Sequence, residues 1–165
     1  MSAGVKKLSV ALSDMERLAI EGKLYAVLDA CGSPPIQAKV GSLSPESALC
    51  LYRTQNQDLL KTAPYLVKVD RGILTWLIDN VWVEPWGIFL AATASLPTLH
   101  RHLRKFLVIK DPEDKVAYFR YYDPRVLPTF LSASNGEELE DFFGPILAFG
   151  LNGKGLEEVF LLERG

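Results

Sequence analysis

The chain has 165 residues, of which 48% are hydrophobic, 10% aromatic and 23% charged, a composition typical of a folded globular protein and not of a disordered segment. This length favours one domain with a substantial core. A formal net charge of −2 and an isoelectric point near 5.7 argue against a general nucleic-acid-binding protein.

The first half of the chain predicts three elements before residue 53. A short surface helix is predicted over 8–20, from the helical spacing of Leu8, Leu12 and Met15. The apolar run 24–30, bounded by glycine and proline, predicts a buried central strand. After a loop rich in proline, glycine and serine, Ser44 and Pro45 predict the start of a helix that reaches Tyr52.

The middle of the chain predicts a strand, a helix and a second strand. Residues 65–69 form the strand, Asp70 can cap the helix, and residues 86–92 form the next buried strand. The apolar residues of the helix, which is predicted over 71–82, cover more than one stripe. Such a helix is either buried on several sides or offers an apolar face to a partner.

Residues 96–131 hold both histidines and a basic segment. Ser95 predicts the cap of an amphipathic helix, followed by a hairpin that turns at 111–114 and returns through Val116 and Tyr118. Between residues 96 and 110 there are four basic residues and no carboxylate, namely Arg101, Arg104, Lys105 and Lys110. Asp123 and Pro124 predict one helical turn, and Pro128 predicts a break before a second short helix.

The last part of the chain is acidic. A short helix is predicted from Asn135 and Gly136 to Phe143, and then a hairpin with strands at 146–151 and 156–162. From Glu137 onward seven acidic residues face two basic ones. The whole pattern predicts the α/β class, as a mixed α+β fold: one domain over 1–165, with a central mixed sheet of six to seven strands flanked by helices.

The two cysteines and the hydropathy of the chain bear on its compartment. Cys31 and Cys50 fit neither a metal-binding spacing nor a disulfide framework, which favours a reducing compartment. No secretory signal and no apolar run long enough for a membrane span are present. We therefore expect a soluble, cytoplasmic protein.

The polar residues leave two kinds of function open. His100 and His102 lie two apart on a helix and so face different directions, which disfavours a shared metal. The chain has no nucleophile elbow, phosphate loop or dinucleotide fingerprint. A small hydrolase or phosphate-processing enzyme that uses His100 or His102 with Asp123 and nearby arginines remains an alternative to a binding protein.

Two further sets of residues have both a structural and a binding interpretation. Asp123 can accept hydrogen bonds from a guanidinium of Arg104, Arg120 or Arg125, which predicts either an ion network or an anion or partner-carboxylate site. Trp82 and Trp86 flank a turn that contains Val83. Tryptophans at such a turn either pack in the hydrophobic core or anchor a protein interface.

A series of motifs carries a resemblance to a known family. The motifs are LYAVLDA (24–30), APYLVKV (63–69), WGIFL (86–90), HLRKFLVI (102–109), FRYYDPRVLPTFL (119–131) and FFGP (142–145). In this order they closely resemble the bacterial type VI secretion effector chaperones or adaptors of the Tap/Tec type, a family long labelled as a domain of unknown function. The turn at 111–114 departs from the glycine-containing turn of that family.

The resemblance implies a cytoplasmic protein without enzymatic activity. We separately expect no cofactor, metal, nucleic-acid partner or membrane partner. It would bind a cognate toxic effector and help to load it onto the VgrG spike for toxin delivery. The candidate partner-binding residues are Trp82, Val83, Trp86, His100, Arg101 and Arg104. The candidates for a structural motif or partner-anion site are Arg120, Asp123 and Arg125.

Overall fold

A computed structural model describes residues 4–110, 112–153 and 158–165. Its helices are α1 (Leu12–Ile20), α2 (Pro34–Ser42), α3 (Gln57–Thr62), α4 (Arg71–Asn80), α5 (Leu96–Arg104), α6 (Leu127–Ala133) and α7 (Gly136–Phe143). Its strands are β1 (Val5–Ala11), β2 (Leu24–Asp29), β3 (Ala48–Cys50), β4 (Pro64–Lys68), β5 (Gly87–Ala92), β6 (Val108–Lys110), β7 (Val116–Tyr118), β8 (Ile146–Asn152) and β9 (Glu158–Arg164).

Seven strands form one sheet in the order β1-β9-β8-β5-β2-β4-β3, and β6 and β7 form a separate two-stranded sheet. The predicted α+β class is confirmed, with one correction. Every strand pairing that the structure describes is antiparallel, where we predicted a mixed sheet. The prediction that 24–30 is central is confirmed, since β2 lies between β4 and β5.

The seven-stranded sheet separates two hydrophobic cores. Side chains of β2 alternate between them, with Tyr25 and Val27 on one face and Ala26 and Leu28 on the other. The first core packs against α5, α6 and α7, and the second packs against α1, α2 and α4. Because helices cover both faces of the sheet, the side chains on both faces of the inner strands are buried. The inner strands are therefore continuous apolar runs, although antiparallel strands commonly alternate apolar and polar residues.

Caps predicted from the sequence set the starts of three helices. The Asp70 carboxylate accepts a hydrogen bond from the Ile73 amide at 2.8 Å, and the Ser95 hydroxyl accepts one from the Thr98 amide at 3.3 Å. Asn135 and Glu138 form a reciprocal capping box at the start of α7. The second short helix, predicted to begin at Pro128, is also confirmed as α6, which begins one residue earlier at Leu127.

The predicted helix over 8–20 is wrong over its first four residues. Residues 5–11 form β1, which pairs with β9 from Val5↔Arg164 to Ala11↔Glu158. The Asp14 carboxylate then accepts a hydrogen bond from the Ala11 amide at 2.9 Å, and α1 begins at Leu12. Pairing with a distant strand therefore overrides the local helical spacing.

The predictions for 33–62 are also corrected. The expected loop contains α2, which Ser33 caps, and Asn56 caps the unpredicted α3. The helix predicted from Ser44 is a turn followed by β3, because the chain pairs with β4 at the sheet edge. Leu49 and Tyr52 nevertheless pack against the first core, as their apolar character suggested.

Two turns are only partly described. Asp111 in the hairpin turn and Lys154 in the last turn lie outside the described residues, although Asp114 adopts a left-handed conformation with φ 61°. Among the described residues, no helix is both long and apolar enough to cross a membrane.

Candidate partner-binding surface

The β6–β7 hairpin exposes large apolar side chains. Within the described chain it is hydrogen-bonded to no other strand, and four of its six strand residues are large, apolar and exposed. The exposed fractions are 44% for Val108, 51% for Ile109, 60% for Val116 and 62% for Tyr118. We call these four side chains the hairpin patch; clustering of this kind marks interaction surfaces more often than scattered apolar residues do.

A groove lies at the base of the hairpin patch. Its cavity volume is about 250 Å³, and its walls include Leu51, Leu59 and Leu107 together with Val108 and Tyr118 from opposite strands of the hairpin. The rings of Tyr52 and Tyr118 lie 5.1 Å apart between centroids and join the hairpin to the groove wall. The groove therefore continues into the face of the hairpin patch that carries Val108 and Tyr118, whereas Ile109 lies on the other face.

The groove carries positive charge. Arg53 and Arg104 are its charged lining residues, and neither takes part in an ion pair with any residue that the structure describes. Arg53 is exposed and Arg104 is half-buried. Of the predicted partner-binding residues, Arg104 thus lies in the groove and Arg101 is exposed on the adjoining α5.

The two histidines of α5 each bind a different backbone carbonyl. His100 Nε2 lies 2.7 Å from Cys50 O on the edge strand β3, and His102 Nε2 lies 2.6 Å from Phe142 O in α7. His102 is buried against the Phe106 ring, with 5.1 Å between centroids. Burial lowers the pKa of His102, while the hydrogen bond to Phe142 O opposes that shift.

The burial of His102 predicts that the protein loses stability in mild acid. Its folded-state pKa lies below its unfolded value of about 6.5, so the unfolded chain takes up the proton first as the pH falls. The stabilising contribution is therefore complete above about pH 6.5 and declines below it, with a slope of at most about 1.4 kcal/mol per pH unit.

Urea unfolding at a series of pH values from about 5 to 8 measures this slope. The control is His102→Gln, whose amide can still donate to Phe142 O but does not titrate. We expect a steeper pH dependence in the parent protein than in the variant. If the free energy of unfolding depends equally on pH in the parent and in the variant, the lowered pKa of His102 is not the cause of the loss of stability in mild acid.

Asp123 and Arg125 form a two-pronged ion pair in the Asp-Pro-Arg corner. Asp123 Oδ1 accepts hydrogen bonds from the Arg125 amide and from its Nε, both at 2.9 Å, and Oδ2 accepts from Nη2 at 2.8 Å. These bonds hold the pKa of Asp123 below its ordinary value. The predicted fork on Asp123 is therefore present, with Arg125 as its donor.

Arg120 binds a different carboxylate. It donates to Asp29 at the end of β2, and it lies beside the ring of Tyr122. Burial raises the pKa of Asp29, while the hydrogen bond from the Cys31 amide and the charge of Arg120 oppose this. Since both carboxylates already hold a guanidinium, the corner favours the ion-network interpretation over an anion site.

The tryptophan prediction needs correction. Trp82 and Trp86 are buried in the second core, where their rings lie 6.4 Å apart and each contacts Phe89. They are therefore not available as partner anchors in this structure. Val83 between them is 82% exposed and borders a separate surface cavity with Pro124.

The residues proposed for a hydrolase are not hydrogen-bonded to one another, and each binds a different group. His100, His102 and Asp123 bind Cys50 O, Phe142 O and Arg125, respectively. Within the described residues, no group of three or more His, Cys, Asp or Glu side chains could hold a metal ion.

The comparisons with known proteins place the chain in one family. A family profile described as "Domain of unknown function (DUF4123)" matches residues 24–141, which is more than half of the chain. The chain belongs to the DUF4123 family. No curated protein and no solved structure matched the sequence.

The DUF4123 region contains the whole candidate surface. It runs from the first residue of β2 into α7, and therefore includes α5, the hairpin patch, the groove and the Asp-Pro-Arg corner. Strands β1, β8 and β9 lie outside it. The resemblance of the sequence to a domain of unknown function is confirmed at this level.

The sequence did not identify most residues of this DUF4123 surface. The residues not predicted are Asp29, Leu51, Tyr52, Arg53, Thr54, Leu59, Leu107, Val108, Ile109, Val116 and Tyr118. A hairpin whose strands are apolar on both faces has the same pattern as one that is buried. The length of its strands carries no signal either, since β3 is equally short and joins the main sheet.

Proposed function

We propose that this DUF4123 protein is a cytoplasmic chaperone or adaptor of bacterial type VI secretion. It binds a cognate toxic effector and helps to load it onto the VgrG spike, without catalysing a reaction. The series of motifs from LYAVLDA to FFGP supports this role through its resemblance to effector chaperones. All of these motifs except the last, FFGP (142–145), lie within the family match.

The hairpin patch is the observation that carries the proposal. A partner that covers Val108, Ile109, Val116 and Tyr118 would remove exposed apolar surface from water, which is the main favourable term in protein association. A tyrosine beside an apolar groove is also the kind of anchor on which binding energy concentrates. The patch is therefore better suited to binding a protein than to binding a small substrate.

The charges around the patch support a selective partner. Arg53 and Arg104 line the groove, Arg101 is exposed on the adjoining α5, and Lys105 is exposed just after its end. Positive groups at the rim of an apolar surface speed association with an acidic partner and disfavour basic ones. This complementarity suits an adaptor that must select one effector among many cytoplasmic proteins.

Co-expression tests the proposal. The chain would be produced with the toxin encoded beside it and with the VgrG protein of the same gene cluster, and complexes would be separated by size-exclusion chromatography. We expect a stable complex with the toxin, with a dissociation constant of about 1 μM or lower. We also expect that deletion of the gene abolishes secretion of that toxin alone.

The matched control is a toxin from a different type VI cluster, which should remain unbound. The absence of a complex with the toxin and with VgrG, together with normal secretion in the deletion strain, would refute the proposed role.

A further inference from the structure

The hairpin has strand edges that the described structure leaves unpaired. Strands β6 and β7 pair only with each other, through Val108↔Tyr118, Ile109↔Ala117 and Lys110↔Val116. A hairpin of two three-residue strands has little stability of its own, and a third strand would add both hydrogen bonds and apolar contacts. The geometry thus leaves room for one more strand.

The hydrogen-bond alternation shows which backbone groups are free for such a strand. The Phe119 amide donates to Leu107 O at 2.7 Å, which makes this pair a hydrogen-bonded one. In an antiparallel ladder the next pair, Val108 and Tyr118, and then Lys110 and Val116, turn their amides and carbonyls outward. Each edge therefore presents two residues whose backbone groups can bind an added strand.

The side chains at these edges do not discourage pairing. Natural edge strands are commonly protected by charged residues or proline, but Lys110 is the one charged residue within β6 and β7. Val108, Lys110, Val116 and Tyr118 lie on one face of the hairpin, and Val108 and Tyr118 also line the groove. An added strand would therefore meet a face that is mostly apolar and carries one positive charge.

The positive charge of the groove favours an added strand that carries negative charge. Its lining has two guanidiniums and no carboxylate. Of the nearest acids in sequence, Asp58 is exposed on α3, and Glu113 lies 3.8 Å from the ammonium group of Lys115. A carboxylate of the incoming segment can pair with Arg53 or Arg104 without competition from these residues.

We infer that the hairpin binds an extended segment of a partner protein that carries apolar and acidic side chains on the same strand face, two residues apart. The segment adds as a third strand to the β6–β7 sheet, places an apolar side chain in the groove and pairs a carboxylate with Arg53 and Arg104. A second copy of this chain fits less well, because a symmetric pairing would bring these arginines against their own counterparts. This inference rests on the proposed function, since it specifies how the effector is held.

Peptide binding tests the inference without the effector. The probe is a fluorescein-labelled, end-blocked peptide, Thr-Glu-Thr-Val-Thr-Asp-Thr, which has its acidic residues and its valine on one strand face, and the comparison peptide carries lysine at both acidic positions. We expect a dissociation constant of about 10–100 μM for the acidic peptide in fluorescence polarisation, and at least about tenfold weaker binding of the basic one. Equal affinities, or no saturation below about 1 mM, would overturn the inference.

A charge exchange locates the site. In the double variant Arg53→Glu with Arg104→Glu, the preference should reverse, so that the basic peptide binds more tightly than the acidic one. The matched control is Arg71→Glu, since Arg71 is exposed at the start of α4, which packs on the second core. An unchanged preference in the double variant, or a reversal in the control, would place the peptide elsewhere.

Removal of one outward amide tests strand addition itself. Val108→Pro and Val116→Pro each delete an N–H group that the ladder does not use, on β6 and β7 respectively. We expect one of them to weaken peptide binding at least about tenfold, with an unchanged circular dichroism spectrum and thermal midpoint. If both folded variants bind as the parent does, strand addition is wrong.

The same variants separate this inference from the proposed function. A toxin complex that survives the charge exchange and both proline variants would overturn the inference and leave the chaperone role intact. Selective binding of the acidic peptide without any complex with the toxin or VgrG would support strand addition at the hairpin and refute the chaperone role. Light scattering during these experiments identifies a dimer formed through the hairpin, which would also overturn the inference.

Discussion

Replacing Gly87 by alanine should prevent folding or lower the free energy of unfolding by at least about 4 kcal/mol. A Cβ atom at Gly87 would lie 1.9 Å from Val27 O and 3.0 Å from the Val27 carbonyl carbon. Both atoms belong to the backbone of β2, in the middle of the sheet, so they cannot move away as a flexible side chain could. The residue also has φ +143°, which L-amino acids with a side chain rarely adopt.

Gly41→Ala is the matched control. Gly41 lies in α2, and an added Cβ there meets nothing within 4 Å. Alanine in a helix should leave stability unchanged or raise it by up to about 1 kcal/mol. Urea unfolding followed by circular dichroism measures both variants. A Gly87→Ala protein with the parent's midpoint would contradict the described pairing of β5 with β2.

The second large effect is expected for Phe142→Ala, which should cost about 3–5 kcal/mol of stability. The Phe142 ring contacts four other aromatic rings at centroid distances between 4.9 and 5.6 Å, namely Phe106, Tyr121, Phe130 and Phe149. These neighbours come from the segment after α5, the Asp-Pro-Arg corner, α6 and β8. Truncation would leave a cavity at the point where all of them meet.

Two variants make the Phe142 measurement specific. Phe142→Leu keeps most of the volume and should cost less than the alanine variant. Tyr118→Ala removes an exposed ring on the hairpin and should change stability by no more than about 1 kcal/mol, since it loses one ring contact. A Phe142→Ala cost no larger than that of Tyr118→Ala would contradict the described core.

The inner elements could be predicted because local and tertiary signals agree there. Strands β2, β4 and β5 are apolar runs between helices, and Asp70 and Ser95 provide caps where the helical spacing begins. Besides the missed helices α2 and α3, the errors fall at the two edge strands of the sheet. At β1 and β3 the local pattern favoured a helix, and pairing with a distant strand decided the structure.

The candidate site could be predicted only in part. The segment 96–131 contains Arg104, the hairpin and the corner, and the Asp123–Arg125 pair follows from residues two apart in sequence. Contacts across the fold could not be read in this way. Asp29 reaches Arg120 from β2, and Arg53 comes from the segment after β3, so neither was associated with the motif that it completes.

The pairing of β1 with β9 has a consequence for how the protein forms. Val5 is matched with Arg164, so this contact joins residues from opposite ends of the sequence. Closing so long a loop is entropically costly, and contacts of this kind slow the folding of small domains. On the ribosome, β1 must wait until β9 has been synthesised. We therefore expect that the inner strands assemble first and that the outer strand joins as one of the last steps.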